Sequence, residues 1–139
     1  MRHVFADTGY WIAILNPRDQ LHERAKSESA RLRQDRVILV TTEMILVEFA
    51  NYYAERGAWF RQQAALAIQS IQREPNLRLV EQTRVLFRNA LVLYHSRLDK
   101  KWSFTDCASI LVMQDYKIDA ILAHDIHFEQ AGFTTLLRG

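Results

Sequence analysis

The chain has 139 residues, the size of one compact domain, and at that length about two-thirds of the unfolded surface is buried without help from disulfides. Apolar residues at 49% and charged residues at 24% exclude a disordered or collagen-like chain. The net charge of +2 hides a segregation: residues 1–55 hold seven basic and eight acidic side chains, residues 56–101 nine and three, and residues 102–139 two and five.

His3–Ala6 is a short β-prone run that ends at Asp7, the pattern of a buried strand closing on an acid. Thr8 caps a helical segment from Gly9 to Leu15, which Asn16-Pro17 breaks. Asp19 opens a charged stretch to about Asp35, with Leu21, Ala25 and Leu32 on one helix face. Val37–Val40 is a second β-branched run; Thr41 and Thr42 then cap a helix from Glu43 to about Arg56, stopped by Gly57. Trp59–Arg73 reads as a helix with Phe60, Ala64, Ala67, Ile68 and Ile71 on one side, and Pro75-Asn76 ends it. Leu77–Val80 is a third strand, and helix resumes from about Thr83 to Arg97. Ser103, Phe104 and Thr105 lead into a helix running to about Tyr116. Ala120–Ala123 is a fourth strand, ended by His124-Asp125, and Phe133–Leu136 is a short fifth.

Strands alternating with helices predict βαβ units and one α/β domain over residues 1–139, its mostly parallel four- to five-stranded sheet covered on both faces. The single cysteine, Cys107, rules out an intrachain disulfide and a Cys-based zinc site, and reads as a small buried hydrophobe. The N-terminus turns acidic too soon for a signal peptide, and no apolar run approaches the ~20 residues of a membrane span. A soluble, cytoplasmic chain without a membrane partner is the expectation.

Sheets of this kind place their sites beyond the carboxyl ends of the strands. Asp7 ends the first strand, Glu48 lies on the second turn of the helix after the second, Asp106 begins the helix at Thr105, and Asp125 follows the fourth strand. All four therefore belong to one edge. Two carboxylates 4 Å apart repel by about 4 kcal/mol at an effective dielectric near 20, so a fold gathers them only where a cation relieves the repulsion. All-oxygen ligation points to Mg²⁺ or Mn²⁺ and not to zinc or copper. Such ions serve phosphodiester hydrolysis. Taken one at a time, the same acids are also ordinary helix caps, turn residues or solvated positions.

Four segments carry a resemblance: Val4-Phe5-Ala6-Asp7-Thr8, Thr41-Thr42-Glu43-Met44-Ile45-Leu46-Val47-Glu48, Lys101-Trp102-Ser103-Phe104-Thr105-Asp106-Cys107, and Ile121-Leu122-Ala123-His124-Asp125-Ile126-His127-Phe128 continuing to Phe133. In this order, and over nearly the whole chain, they resemble the PIN-domain family, especially its VapC-type toxin ribonucleases. The resemblance implies a three-layer α/β/α sandwich and an endoribonuclease that uses one or two Mg²⁺ or Mn²⁺ ions on single-stranded or structured RNA. Its products would carry 5′-phosphate and 3′-hydroxyl ends. It implies Asp7, Glu48, Asp106 and Asp125 as metal-binding and catalytic residues, with Thr8 as a polar helper. It also implies a homodimer and a small antitoxin that occludes the site. One position departs: the family commonly has Thr or Ser two residues before the last acid, where this chain has Ala123. The missing ligand-orienting group then falls to Ser103, Thr105 or His124. Glu43 and Asp99 are extra carboxylates near the matched segments, with supporting, capping or solvated roles open to them.

Fourteen of the 18 basic residues are Arg, and the Arg-rich middle (Arg56, Arg61, Arg73, Arg78, Arg84, Arg88, Arg97, with Lys100 and Lys101) suits RNA phosphates, with solvated helix faces as the alternative. Trp11, Tyr52, Tyr53, Trp59, Phe60 and Trp102 are candidates for base stacking, or for core and dimer-interface positions. His124 and His127 flank the last acid, in what reads as a surface loop. Asp7-Thr8-Gly9 spells an aspartic-protease triplet, but four Gly and several long helices do not suit that all-β fold. A phosphatase lacks its second acid at Gly9, and a receiver-like module lacks its late strand-end Lys. The remaining rivals are an RNA-processing PIN nuclease without an antitoxin and a non-catalytic PIN-like scaffold.

Overall fold

The computed structural model describes residues 2–138. Its elements, in chain order, are β1 (His3–Ala6), α1 (Thr8–Leu15), α2 (His22–Gln34), β2 (Ile38–Thr42), α3 (Glu43–Tyr53), α4 (Ala58–Arg73), β3 (Leu77–Val80), α5 (Arg84–Ser96), α6 (Phe104–Asp115), β4 (Ala120–Leu122), α7 (Ile126–Gln130) and β5 (Thr134–Thr135). The strands form one sheet in the order β3-β2-β1-β4-β5, and every pairing is parallel. The sheet is thus entirely parallel, where the sequence asks only for mostly parallel.

Steps from β1 to β2 and from β2 to β3 run one way across the sheet, and the step from β3 to β4 returns past β1. Right-handed crossovers then put α1–α4 on one face and α5–α7 on the other, giving the three-layer α/β/α sandwich. The period-2 alternation of the strands feeds both layers. Phe5, Val40 and Ile121 pack with Ala108, Met113 and Phe128, while Val4, Ala6, Ala120 and Leu122 pack with Tyr10, Ala13 and Leu32. A third cluster of Phe49, Tyr53 and Ala64 joins α3 to α4. The strand order reverses between β1 and β4, and a crevice opens at such a switch point beyond the carboxyl ends.

Element limits differ from the sequence reading where side chains take over backbone groups. Strand β2 runs on through Thr41 and Thr42, both fully buried. The Thr41 hydroxyl donates to Ala6 O at 2.9 Å and accepts from Trp11 Nε1 at 3.3 Å, so it ties β2 to β1 and α1. Only then does Thr42 Oγ1 cap α3, accepting from Ile45 N at 3.1 Å. Helix α2 starts at His22 and not at Asp19, because Asp19 forms a turn, its carboxylate accepting from Leu21 N at 2.9 Å. Helix α3 stops at Tyr53, and Gly57, with φ +98°, supplies the bend into α4. Residues 126–130, read as loop, form the short helix α7. Cys107 is buried, as an apolar residue would be. No helix among the described residues is long and apolar enough to cross a membrane.

Candidate active site

Backbone caps fix the acids at the switch-point edge. Asp7 is the residue before α1, yet its carboxylate makes no capping hydrogen bond to the N–H groups further along the first turn. The peptide is instead held by Asp7 N donating to Leu122 O at 3.3 Å, which locks the end of β1 to β4. Asp106 occupies the third position of α6 in a capping box: its N–H donates to Ser103 Oγ at 2.9 Å, and its Oδ2 accepts from Ser103 N at 3.0 Å. Asp125 caps α7, its Oδ1 accepting from His127 N at 2.9 Å. Glu48 reaches the edge from the second turn of α3, where Thr8 Oγ1 donates to its Oε1 at 2.6 Å.

Burial pushes the Asp7 carboxyl up to about 7; the Thr8 backbone N–H works against this, while the charges of Asp106, Glu48 and Asp125 add to it. Asp106, Glu48 and Asp125 thus all lie near enough to disfavour the charge on Asp7. The Asp106 carboxyl is also raised, by burial first, with Ser103 and His127 opposing. Among the described residues no Lys or Arg is paired with any of the four; their one basic neighbour is His127, whose Nδ1 lies 3.1 Å from Asp106 Oδ2 and 3.3 Å from Asp125 Oδ1.

The chemistry of this donor set, four carboxylates without an Arg or Lys counter-ion, fits a hard divalent cation. The side chains as they stand are engaged with Thr8, Ser103 and His127, and no three acidic, His or Cys groups among the described residues form a ready coordination sphere. To take an ion, these oxygens would have to move closer together.

The other candidates take different places. Ser103 spends its hydroxyl on the Asp106 N–H, Thr105 is buried in the first turn of α6, and His124 is exposed after β4. Ala123 is buried and offers only its backbone, its carbonyl accepting from Leu137 N at 3.1 Å. Glu43 accepts from Gln82 N at 2.7 Å and so anchors the connection from β3 to α5, outside the acid cluster. Asp99 lies on the exposed connection from α5 to α6, where Arg97 Nε and Nη2 reach its two oxygens at 3.0 Å each and Lys100 stands 3.9 Å away. Neither joins the four acids. His127, read as a loop residue, is instead the group that links Asp106 to Asp125. Its signal was the helix-capping spacing of an acid two residues before it.

No family model matches the sequence, and no curated protein matches it. Solved structures do. VapC20 (Rv2549c) of Mycobacterium tuberculosis, a toxin that cleaves the sarcin-ricin loop, superposes with a TM-score of 0.80 at 27% identity, covering 94% of this chain and 96% of that one. FitAcB from Neisseria gonorrhoeae shares the fold at a TM-score of 0.62 and 13% identity, covering 95% of this chain and 94% of that one. This chain therefore has the fold of a VapC-type toxin, and the segments that resemble the PIN-domain family lie along it in the family's order.

Proposed function

We propose that this chain is a Mg²⁺- or Mn²⁺-dependent endoribonuclease, the toxin of a pair with a small antitoxin, acting in the cytoplasm on an unpaired RNA segment. The reading rests on the acid edge: Asp7, Glu48, Asp106 and Asp125 lie beyond the carboxyl ends of the strands, none paired with Arg or Lys among the described residues, and burial with its acidic neighbours raises the Asp7 carboxyl to about 7. The 27% identity to a toxin that cleaves a ribosomal RNA loop supports RNA as the substrate. Asp7, Glu48, Asp106 and Asp125 would hold one or two ions. A bound ion supplies the positive charge that orients a phosphate and activates the attacking water.

The chain's own groups account for the rest. Thr8 holds Glu48 and the capping box holds Asp106, which limits how far these carboxylates would have to move to take an ion. His127, already between two of the acids, would add a hydrogen-bonding group at the edge of the site. An antitoxin and a homodimer belong to the same reading; co-purification with the product of a short neighbouring reading frame tests the first, and sedimentation the second.

The activity test is cleavage of a labelled single-stranded RNA and of a stem-loop carrying a sarcin-ricin sequence, with Mn²⁺, with EDTA, and with Asp7→Asn or Asp106→Asn. Cleavage by the wild type alone, abolished by EDTA, is expected. Identical behaviour of wild type and both variants would leave a binding scaffold.

A further inference from the structure

Away from the acid edge, α5 carries aromatic surface that packing does not use. Ala90 is its one buried residue, while Phe87 and Tyr94 are about half exposed, at 51% and 49%. Both rest on Phe104 of α6, with ring centroids 4.8 and 5.8 Å away and planes tilted by 41° and 46°. Phe87 and Tyr94 stand seven residues, about two turns, apart and so share one face of α5. The three rings are therefore one shelf. Phe104 lies in the first turn of α6, two residues before Asp106. Such positions lie on opposite sides of a helix, so Phe104 and the Asp106 carboxylate are separated by about one helix diameter, ~10 Å.

The charge on α5 itself has one sign. Helix α5 contains Arg84, Arg88 and His95 and no acid. Just past its end, Arg97 and Lys100 lie over the ring of buried Trp102, at 5.1 and 5.9 Å from its centroid. The only acid on this connection, Asp99, is already taken by Arg97. A second copy of the chain docking α5 on α5 would set Arg84, Arg88 and His95 against their own counterparts with no acid on the helix to answer them. A polyanion meets the same groups favourably. Exposed rings flanked by cations are what unpaired nucleic acid uses, bases stacking while the backbone follows the positive charge.

We infer that Phe87, Tyr94 and Phe104 form a stacking shelf for an unpaired base flanking the cut, with Arg88 and Arg97 beside it for the backbone phosphates. The shelf positions substrate and takes no part in bond cleavage. It rests on the RNA-cleaving reading of the acid edge and deepens it: the segment cut must offer a base that is free to leave its stack.

The test measures anisotropy of fluorescein-labelled single-stranded RNA on the cleavage-inactive Asp7→Asn background, and cleavage kinetics on the wild-type background. Phe87→Leu and Tyr94→Leu should each weaken binding about tenfold, the scale of one lost base stack, and raise KM with kcat nearly unchanged. Phe87→Tyr should restore both. An abasic nucleotide at one position beside the cut should cost the wild type the same factor and the Leu variants nothing more, since the partner ring is already gone.

Leu variants that bind and cleave like the wild type overturn the inference. So does a switch from dimer to monomer in sedimentation with RNA affinity unchanged, which would make the patch a protein interface. Shelf-dependent binding by a chain that cleaves nothing with either metal overturns the nuclease reading alone. Cleavage that ignores the shelf overturns the shelf alone, and a chain that neither binds nor cleaves RNA overturns both.

Discussion

The acid edge and the α5 flank are held in opposite ways. At the edge, hydrogen bonds from Thr8, Ser103 and His127 fix the side chains, and what stays uncompensated is charge. On α5 the backbone is secure, but Val85, Phe87, Leu91, Val92 and Tyr94 remain exposed beside Arg84 and Arg88, which pair with no acid among the described residues. Each region carries a cost that the folded chain alone does not relieve, and each cost names a different ligand: a cation for the edge, an unpaired polyanion for the flank. The difference teaches that changes at the edge should strike chemistry and stability together, whereas changes on α5 should strike affinity alone.

The largest effect expected is at Asp7. Asp7→Asn should lower kcat/KM at least about a thousandfold, because a metal-binding carboxylate is lost. The same variant should raise the melting temperature of the metal-free protein at neutral pH, because the amide stays neutral in a site that disfavours the charge. A group whose folded pKa is raised from 3.8 to about 7 contributes most at acid pH, and that contribution is lost as pH climbs between those values. At about 1.4 kcal/mol per pKa unit, the loss is on the order of 4 kcal/mol. Metal-free wild type should therefore melt at progressively lower temperature from pH 4 to pH 7, with a shallower decline in Asp7→Asn. Thermal scans across that range check it; parallel curves would show that Asp7 does not carry the strain.

How much of this was legible follows the same division. The positions of three acids could be read because each sits at an element boundary with its own signal: a strand closing on Asp7, Ser103 three residues before Asp106, a short apolar run before Asp125. Glu48 needed the length of α3 to be right, and that helix begins where Thr42 caps it. The role of His127 left only the capping spacing of Asp125 as a signal, because a five-residue helix has too few turns to show a period. The shelf was not legible, since its rings come from separate helices and meet only through the packing of α5 on α6. Sequence offered Tyr53 and Trp102 as stacking rings; both are buried, one in the cluster that joins α3 to α4, the other under Arg97 and Lys100.

Thr8 gives a smaller effect that sharpens the contrast. Its hydroxyl holds Glu48 at 2.6 Å and makes no other side-chain bond. Thr8→Val should leave the fold intact but raise the Mn²⁺ concentration for half-maximal cleavage roughly 10- to 100-fold, the usual cost of losing a group that orients a ligand. Thr8→Ser should restore it. An unchanged metal titration would mean that Glu48 is aimed by α3 alone.

Asp99→Asn should do least, and its sign is informative. The carboxylate is exposed and bound to Arg97 and Lys100, which hold its pKa below the usual value. Exposed pairs of this kind add little to stability, so the melting temperature should not move, and kcat should not move because Asp99 stands apart from the acid cluster. Removing its charge leaves Arg97 and Lys100 unopposed beside Trp102, on the flank assigned to RNA. KM for RNA should then fall by about twofold, and the dependence of binding on salt should steepen as more cation meets phosphate. Steady-state kinetics at two salt concentrations measure both. A loss of kcat would return Asp99 to the active site, and a KM that ignores salt would remove the α5 flank from the RNA path.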